Sequence, residues 1–172
     1  MNRRELLLAG CAAAMTPRAR AAQRYLPDLP AAPARWLNSA PLDAAALTGR
    51  PVLLEFWTYG CYNCTNTLPW MRRVYTRYAP RGLAVIAVHT PEFAVERDEA
   101  RVRAAVGRLD VRYPVLLDPD GECWRALGNR YWPAFYLFDG SHLLTARREG
   151  ELHEGEAGAD GFERTLAGLL AR

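Results

Sequence analysis

The chain has 172 residues, half of them apolar, with 22 basic and 19 acidic side chains and four cysteines. That length supports one ordinary domain with a buried core, and four cysteines are far too few for a disulfide framework. Five Trp, eight Tyr and five Phe exclude disorder, and because every basic residue is Arg there is no lysine for a Schiff base or a P-loop.

The chain opens Met1-Asn2-Arg3-Arg4-Glu5, then runs apolar from Leu6 to Met15 and reaches Ala19-Arg20-Ala21. A basic start, about ten apolar residues and an Ala-x-Ala site read as a secretory signal peptide over residues 1–21, with export to the periplasm or another extracytoplasmic space. A buried N-terminal helix is the alternative, although the run has no polar face. Arg3-Arg4 resembles a twin-arginine signal, and Leu8-Ala9-Gly10-Cys11 resembles a lipobox, in which Cys11 would carry a lipid anchor. Residues 1–21 hold four Arg and one Glu, so the remainder carries 18 basic and 18 acidic side chains. Near-neutral charge without a basic patch argues against nucleic acid as a partner.

Residues 22–35 contain Pro27, Pro30 and Pro33 and no helical or strand periodicity of apolar residues, and read as an extended arm, followed by one domain over residues 36–172. Val52 to Trp57 suits a buried strand, and Leu68, Met71, Tyr75 and Tyr78 share one face of a following helix. Leu83 to Val88 is a second buried strand, with Val95, Val102, Val106 and Leu109 marking a second helix. A short run at Tyr113–Leu117, a turn at Asp118–Gly121 and a short helix through Trp124 and Leu127 come next. Pro133–Phe138 and Leu143–Arg147 flank Asp139-Gly140-Ser141-His142 as a hairpin, and Phe162, Leu166, Leu169 and Leu170 stripe a closing helix. This order predicts an α/β fold with a mixed sheet covered on both faces.

Cys61-Tyr62-Asn63-Cys64 stands where the first strand hands over to the first helix. Two cysteines three apart at a helix start can close a small disulfide ring. The first lies where free N–H groups and the helix dipole favour a thiolate, so it attacks, and the second, one turn inside, resolves. Half a zinc site or a purely structural bridge are the other readings, although no second ligand pair stands at zinc spacing. Glu55, inside an apolar strand, either is buried with a raised pKa that suits proton exchange or points outward at a strand edge. Pro69 falls within the helix, and the Trp132–Pro133 bond can be cis.

Phe56-Trp57-Thr58-Tyr59-Gly60-Cys61-Tyr62-Asn63-Cys64, with Pro69 and Pro133, resembles the thioredoxin fold in its extracytoplasmic TlpA/ResA-like branch. Thr67-Leu68-Pro69, Val88-His89-Thr90-Pro91-Glu92-Phe93 and Gly128 to Ala134 resemble the soluble redoxin (AhpC/TSA-type) domain of DipZ-like proteins, from about Trp36 to the C-terminus. The resemblance implies a thioredoxin-like three-layer α/β/α fold with a mixed central sheet and a TlpA-like insertion. It also implies a thiol–disulfide oxidoreductase, acting as a reductant on protein thiols and disulfides without cofactor or metal. Cys61 would be the nucleophile, Cys64 the resolving thiol, Glu55 the proton acceptor and Pro133 the cis-proline, with Trp57, Tyr59 and Trp132 in the substrate groove. The membrane electron-transfer domain of the full DipZ architecture is not in this sequence, so a separate membrane or soluble electron donor is expected, to a monomeric enzyme.

Trp132 stands where thioredoxins often carry Thr, and either reshapes the groove or packs. His89 either tunes the thiols or is a hydrogen-bonded turn residue. Cys123 is a small buried side chain, or else a third redox thiol or a dimer bridge. Two other functions compete. Thr58-x-x-Cys61 matches a thiol peroxidase site superficially, but Leu54 stands where its upstream proline would be. Cys61, Cys64 and His89 could serve a copper chaperone, although such proteins usually space the cysteines one residue wider.

Overall fold

The computed structural model describes residues 24–171; the leader with Cys11 and Ala21 lies outside the described residues. The strands are β1 (Trp36–Leu37), β2 (Val52–Trp57), β3 (Ala84–His89), β4 (Val115–Leu117), β5 (Ala134–Phe138) and β6 (Leu144–Glu149). The helices are α1 (Ala44–Leu47), α2 (Tyr62–Tyr78), α3 (Glu99–Arg108), α4 (Glu122–Ala126) and α5 (Ala157–Leu170).

The strands form one sheet in the order β1-β4-β3-β2-β5-β6. β3 is parallel to β2 and β4, whereas β1, β5 and β6 run antiparallel to their neighbours, so the sheet is mixed. Every residue of β2, β3 and β5 is buried. A strand covered on both faces has no polar side to present, which is why these strands read as apolar runs interrupted only by Glu55 and ended by His89. Alternation then sorts each strand onto two cores. Leu53, Trp57, Val85, Ala87, Phe135 and Leu137 join α2, α3 and α5 in one cluster. Val52, Leu54, Phe56, Ile86, Val88 and Tyr136 join Leu47 of α1 and Cys123 of α4 in the other.

Three local expectations shift. Val95 is not on a helical face: it is 49% exposed in a 3₁₀ turn, Ala94–Arg97, because Asp98 accepts from the N–H groups of Ala100 and Arg101 and starts α3 one residue later. β3 runs one residue further than its apolar pattern, through His89, which pairs with Trp57. Tyr75 is only half-buried, and Val74 and Trp70 fill the helix face beside it. The segment before β1 lies against the domain. Tyr25 bridges to Leu143, Leu26 and Leu29 pack on the second core, and Arg24 donates to the Leu127 carbonyl at 2.8 Å.

Candidate active site

β2 sits at the centre of the sheet and delivers its C-terminal end, through the turn Thr58–Gly60, to the first turn of α2. Cys61 is the N-cap of that helix, in extended conformation, and its Sγ accepts the Cys64 N–H at 3.1 Å. Its carbonyl accepts the Thr65 N–H at 3.1 Å, which closes the first turn. Cys61 and Cys64 form a disulfide with their Cα atoms 5.2 Å apart. Cys61 is half-buried, while Cys64 is wholly buried in the first core, so only the first sulfur is open to a partner.

Glu55 points inward. By strand alternation it shares a face with Leu53 and Trp57, the face on which Cys64 packs, and it is fully buried between Ala87 and Phe135 of the neighbouring strands. Burial drives its pKa up to about 8, against a small opposing effect of the Tyr113 hydroxyl, which donates to Oε2 at 3.4 Å. Its Oε1 has no hydrogen-bond partner. A carboxyl with that pKa holds its proton near neutrality and gives it up just above.

The groove beside Cys61 is lined by Gly60, Tyr62, Asn63, Glu92, Arg130, Tyr131 and Trp132. The Trp132–Pro133 peptide is cis, and Pro133 is buried at the start of β5. Trp132 both packs and lines the groove: its ring lies 4.1 Å from that of Trp124, and its Nε1 donates to the Thr90 carbonyl at 3.0 Å. Trp57 and Tyr59 do not line it. Trp57 is fully buried because its position in β2 turns it into the core, where its ring meets His89 edge-on. Tyr59 stacks on His89, at 5.6 Å and 17°, and donates its hydroxyl to the Val95 carbonyl.

His89 thus contacts two aromatic rings, and its Nε2 lies 3.2 Å from Thr58 Oγ1. Burial lowers its pKa to about 4, against an opposing pull from Glu96, so the ring is neutral at physiological pH. It is a hydrogen-bonded residue behind the turn, and among the described residues no group of three or more His, Cys, Asp or Glu is arranged to hold a metal ion. Cys123 packs in the second core, where burial, with Asp118 nearby, pushes its thiol far above the usual range. Such a thiol is inert.

Two buried carboxylates here escaped the sequence reading. Asp118 accepts from the Thr90 hydroxyl and from the N–H groups of Cys123 and Trp124, and so ties the end of β4 to the loop after β3. Glu96 accepts from Glu92 N, Phe93 N and, across the chain, Gly60 N. An acidic residue three positions after Phe93, in a turn opened by Pro91, is the local signal for the first two of these bonds.

Residues 27–147 match the family model described as the AhpC/TSA family. The chain belongs to the AhpC/TSA family. Within it, the chain is similar to DipZ of Mycobacterium bovis, with 40% identity over 119 residues that make up 67% of this chain and 17% of DipZ. The chain thus spans about a sixth of that relative's length. It is also similar to the thiol-disulfide oxidoreductase YkuV of Bacillus subtilis, with 28% identity over 128 residues, 74% of this chain and 80% of YkuV. Among solved structures, a thioredoxin-like protein determined in solution in its oxidised form superposes with a TM-score of 0.72 and 27% identity, covering 87% of this chain and 96% of its own. The AhpC/TSA-family domain therefore has the thioredoxin-like fold, with the cysteine pair at the start of its longest helix.

Proposed function

We propose that this AhpC/TSA-family chain is an extracytoplasmic thiol–disulfide oxidoreductase that reduces protein disulfides through Cys61 and Cys64. The observation that carries the reading is the asymmetry of the pair: a half-buried sulfur at a helix N-cap, bonded to a fully buried one that shares its core face with a carboxyl of raised pKa.

The steps balance as follows. The Cys61 thiolate attacks one sulfur of a client disulfide, forming a mixed disulfide and releasing the other client sulfur as a thiolate, which takes up a proton. Glu55 in its ionised form, a minority near neutrality that grows as pH approaches about 8, accepts the Cys64 proton, and the Cys64 thiolate attacks Cys61 Sγ. That closes the Cys61–Cys64 bond and expels the second client sulfur, so two electrons pass from the enzyme to the client. A separate electron donor restores the dithiol. The reducing direction has physical support in the neutral His89, which leaves no imidazolium beside the turn to stabilise a thiolate, since couples poised to oxidise stabilise their reduced form. The groove rim, with Tyr62 76% and Tyr131 56% exposed, suits an extended polypeptide as client.

Residues 1–21 supply the export signal in this reading, followed by the arm over residues 22–35 and the redox domain over residues 36–172. The test is turnover of a protein disulfide such as that of insulin, with excess small thiol as donor. Cys61→Ser abolishes it if the reading is right, and unchanged turnover overturns the reading. The N-terminal mass of the exported protein distinguishes cleavage after Ala21 from lipidation at Cys11.

A further inference from the structure

Glu96 is 2% exposed and has no part in the exchange steps above, yet it is bound directly to the turn that presents Cys61. Its Oε2 accepts from Glu92 N at 2.7 Å and Phe93 N at 2.9 Å, and its Oε1 reaches Gly60 N at 3.0 Å. All three partners are donors, which is the surrounding that an ionised carboxylate requires. The fit at Gly60 is close: a Cβ there would lie 2.3 Å from Glu96 Oε1, so the glycine and the glutamate are matched to one another. Two further hydrogen bonds to the same loop reinforce the contact. The Tyr59 hydroxyl binds the Val95 carbonyl at 3.2 Å, and Trp132 Nε1 binds the Thr90 carbonyl at 3.0 Å. The loop from Thr90 to Glu96 thereby joins the turn before Cys61 to the residue before the cis-proline, on both sides of the groove.

The charges around Cys61 fall into two groups. Glu92 and Arg130 line the groove but are exposed, so solvent and salt screen them. Tyr62 and Tyr131 are exposed, and His89 is buried and neutral. The α2 N-terminus favours a thiolate at Cys61, and Glu96, a buried carboxylate hydrogen-bonded to the N–H of the residue before Cys61, opposes that.

We propose that Glu96 is a positioning residue of the exchange reaction: it pins the Cys61 turn to the loop after β3 and, through its buried negative charge, keeps the Cys61 thiolate unfavourable and the cysteine pair reducing. This rests on the reading of Cys61–Cys64 as an exchange couple.

The experiment measures the equilibrium of the pair with glutathione, and the Cys61 thiolate pKa from alkylation rates, in wild type, Glu96→Gln, Glu96→Asp and Gly60→Ala. Glu96→Gln lowers the Cys61 pKa and moves the equilibrium about tenfold toward the dithiol, equivalent to a potential about 30 mV less negative. Glu96→Asp keeps the charge but is too short to span all three donors, so its potential stays near wild type while its exchange rate falls. A folded Glu96→Gln protein with the wild-type pKa and potential overturns the proposal. If that variant does not fold, Gly60→Ala decides. Its methyl displaces Oε1 from the turn and shifts the potential in the same direction, and an unshifted potential overturns the proposal. A wild-type pair with no reversible equilibrium would instead overturn the function on which the proposal rests.

Discussion

Replacing Glu55 with Gln isolates the buried carboxyl on the core face shared with Cys64. Burial raises its pKa from 4.5 to about 8. At about 1.4 kcal/mol per unit, that shift corresponds to roughly 5 kcal/mol between its two protonation states, an order-of-magnitude figure. The sign follows from proton counting. Between the unfolded and folded pKa values the folded chain holds a proton that the unfolded chain has lost, so stability falls as pH rises. The contribution is fully present below pH 4.5, declines through the window up to about 8, and is lost above it. Glutamine keeps the acceptor for the Tyr113 hydroxyl but cannot ionise. Urea unfolding of the oxidised protein at about pH 5 and about pH 9 should show wild type losing several kcal/mol more than Glu55→Gln. The variant should also release client more slowly from the mixed disulfide, since Cys64 has lost its proton acceptor. Parallel stability profiles for the two proteins would refute the reasoning.

Three further outcomes follow from named contacts. Cys64→Ser should accumulate a Cys61–client mixed disulfide, visible as a thiol-sensitive band on a non-reducing gel, because nothing is left to resolve it. Cys123→Ala should keep full exchange activity, and native Cys123 should resist alkylation until the protein is unfolded, as expected of a buried, un-ionised thiol. Arg73 clamps Glu163 with two hydrogen bonds, at 3.1 and 2.8 Å, joining α2 to α5. Burial alone would raise the Glu163 pKa, but hydrogen bonds from Arg73 and Tyr78 outweigh it and hold the carboxylate below its usual range. Arg73→Ala should therefore cost about 2 kcal/mol in urea unfolding at neutral pH, and less as falling pH protonates Glu163.

What the sequence made legible was whatever a short window encodes. Val52–Trp57 reads as a central strand because burial on both faces leaves no polar position but Glu55. Cys61–Cys64 is a local motif at a strand-to-helix junction, and Pro133 reveals itself because cis peptides are almost confined to proline. The resemblance places Trp57 and Tyr59 in the groove, but alternation along β2 sends Trp57 into the core, and Tyr59, in the turn after the strand, stacks on His89. Glu96 stayed hidden because one of its partners is the backbone N–H of a residue 36 positions away, a contact that only the folded sheet creates. β1 is two residues long and is held by pairing with β4, which no local pattern announces.

The most direct test of the account is a redox titration of the purified protein in glutathione buffers, with alkylated cysteines mapped by mass spectrometry. The account predicts one two-electron transition that changes Cys61 and Cys64 together, leaves Cys123 untouched and disappears in Cys61→Ser. Cysteines 61 and 64 that stay locked as a disulfide, or stay free, across the whole accessible range would contradict it.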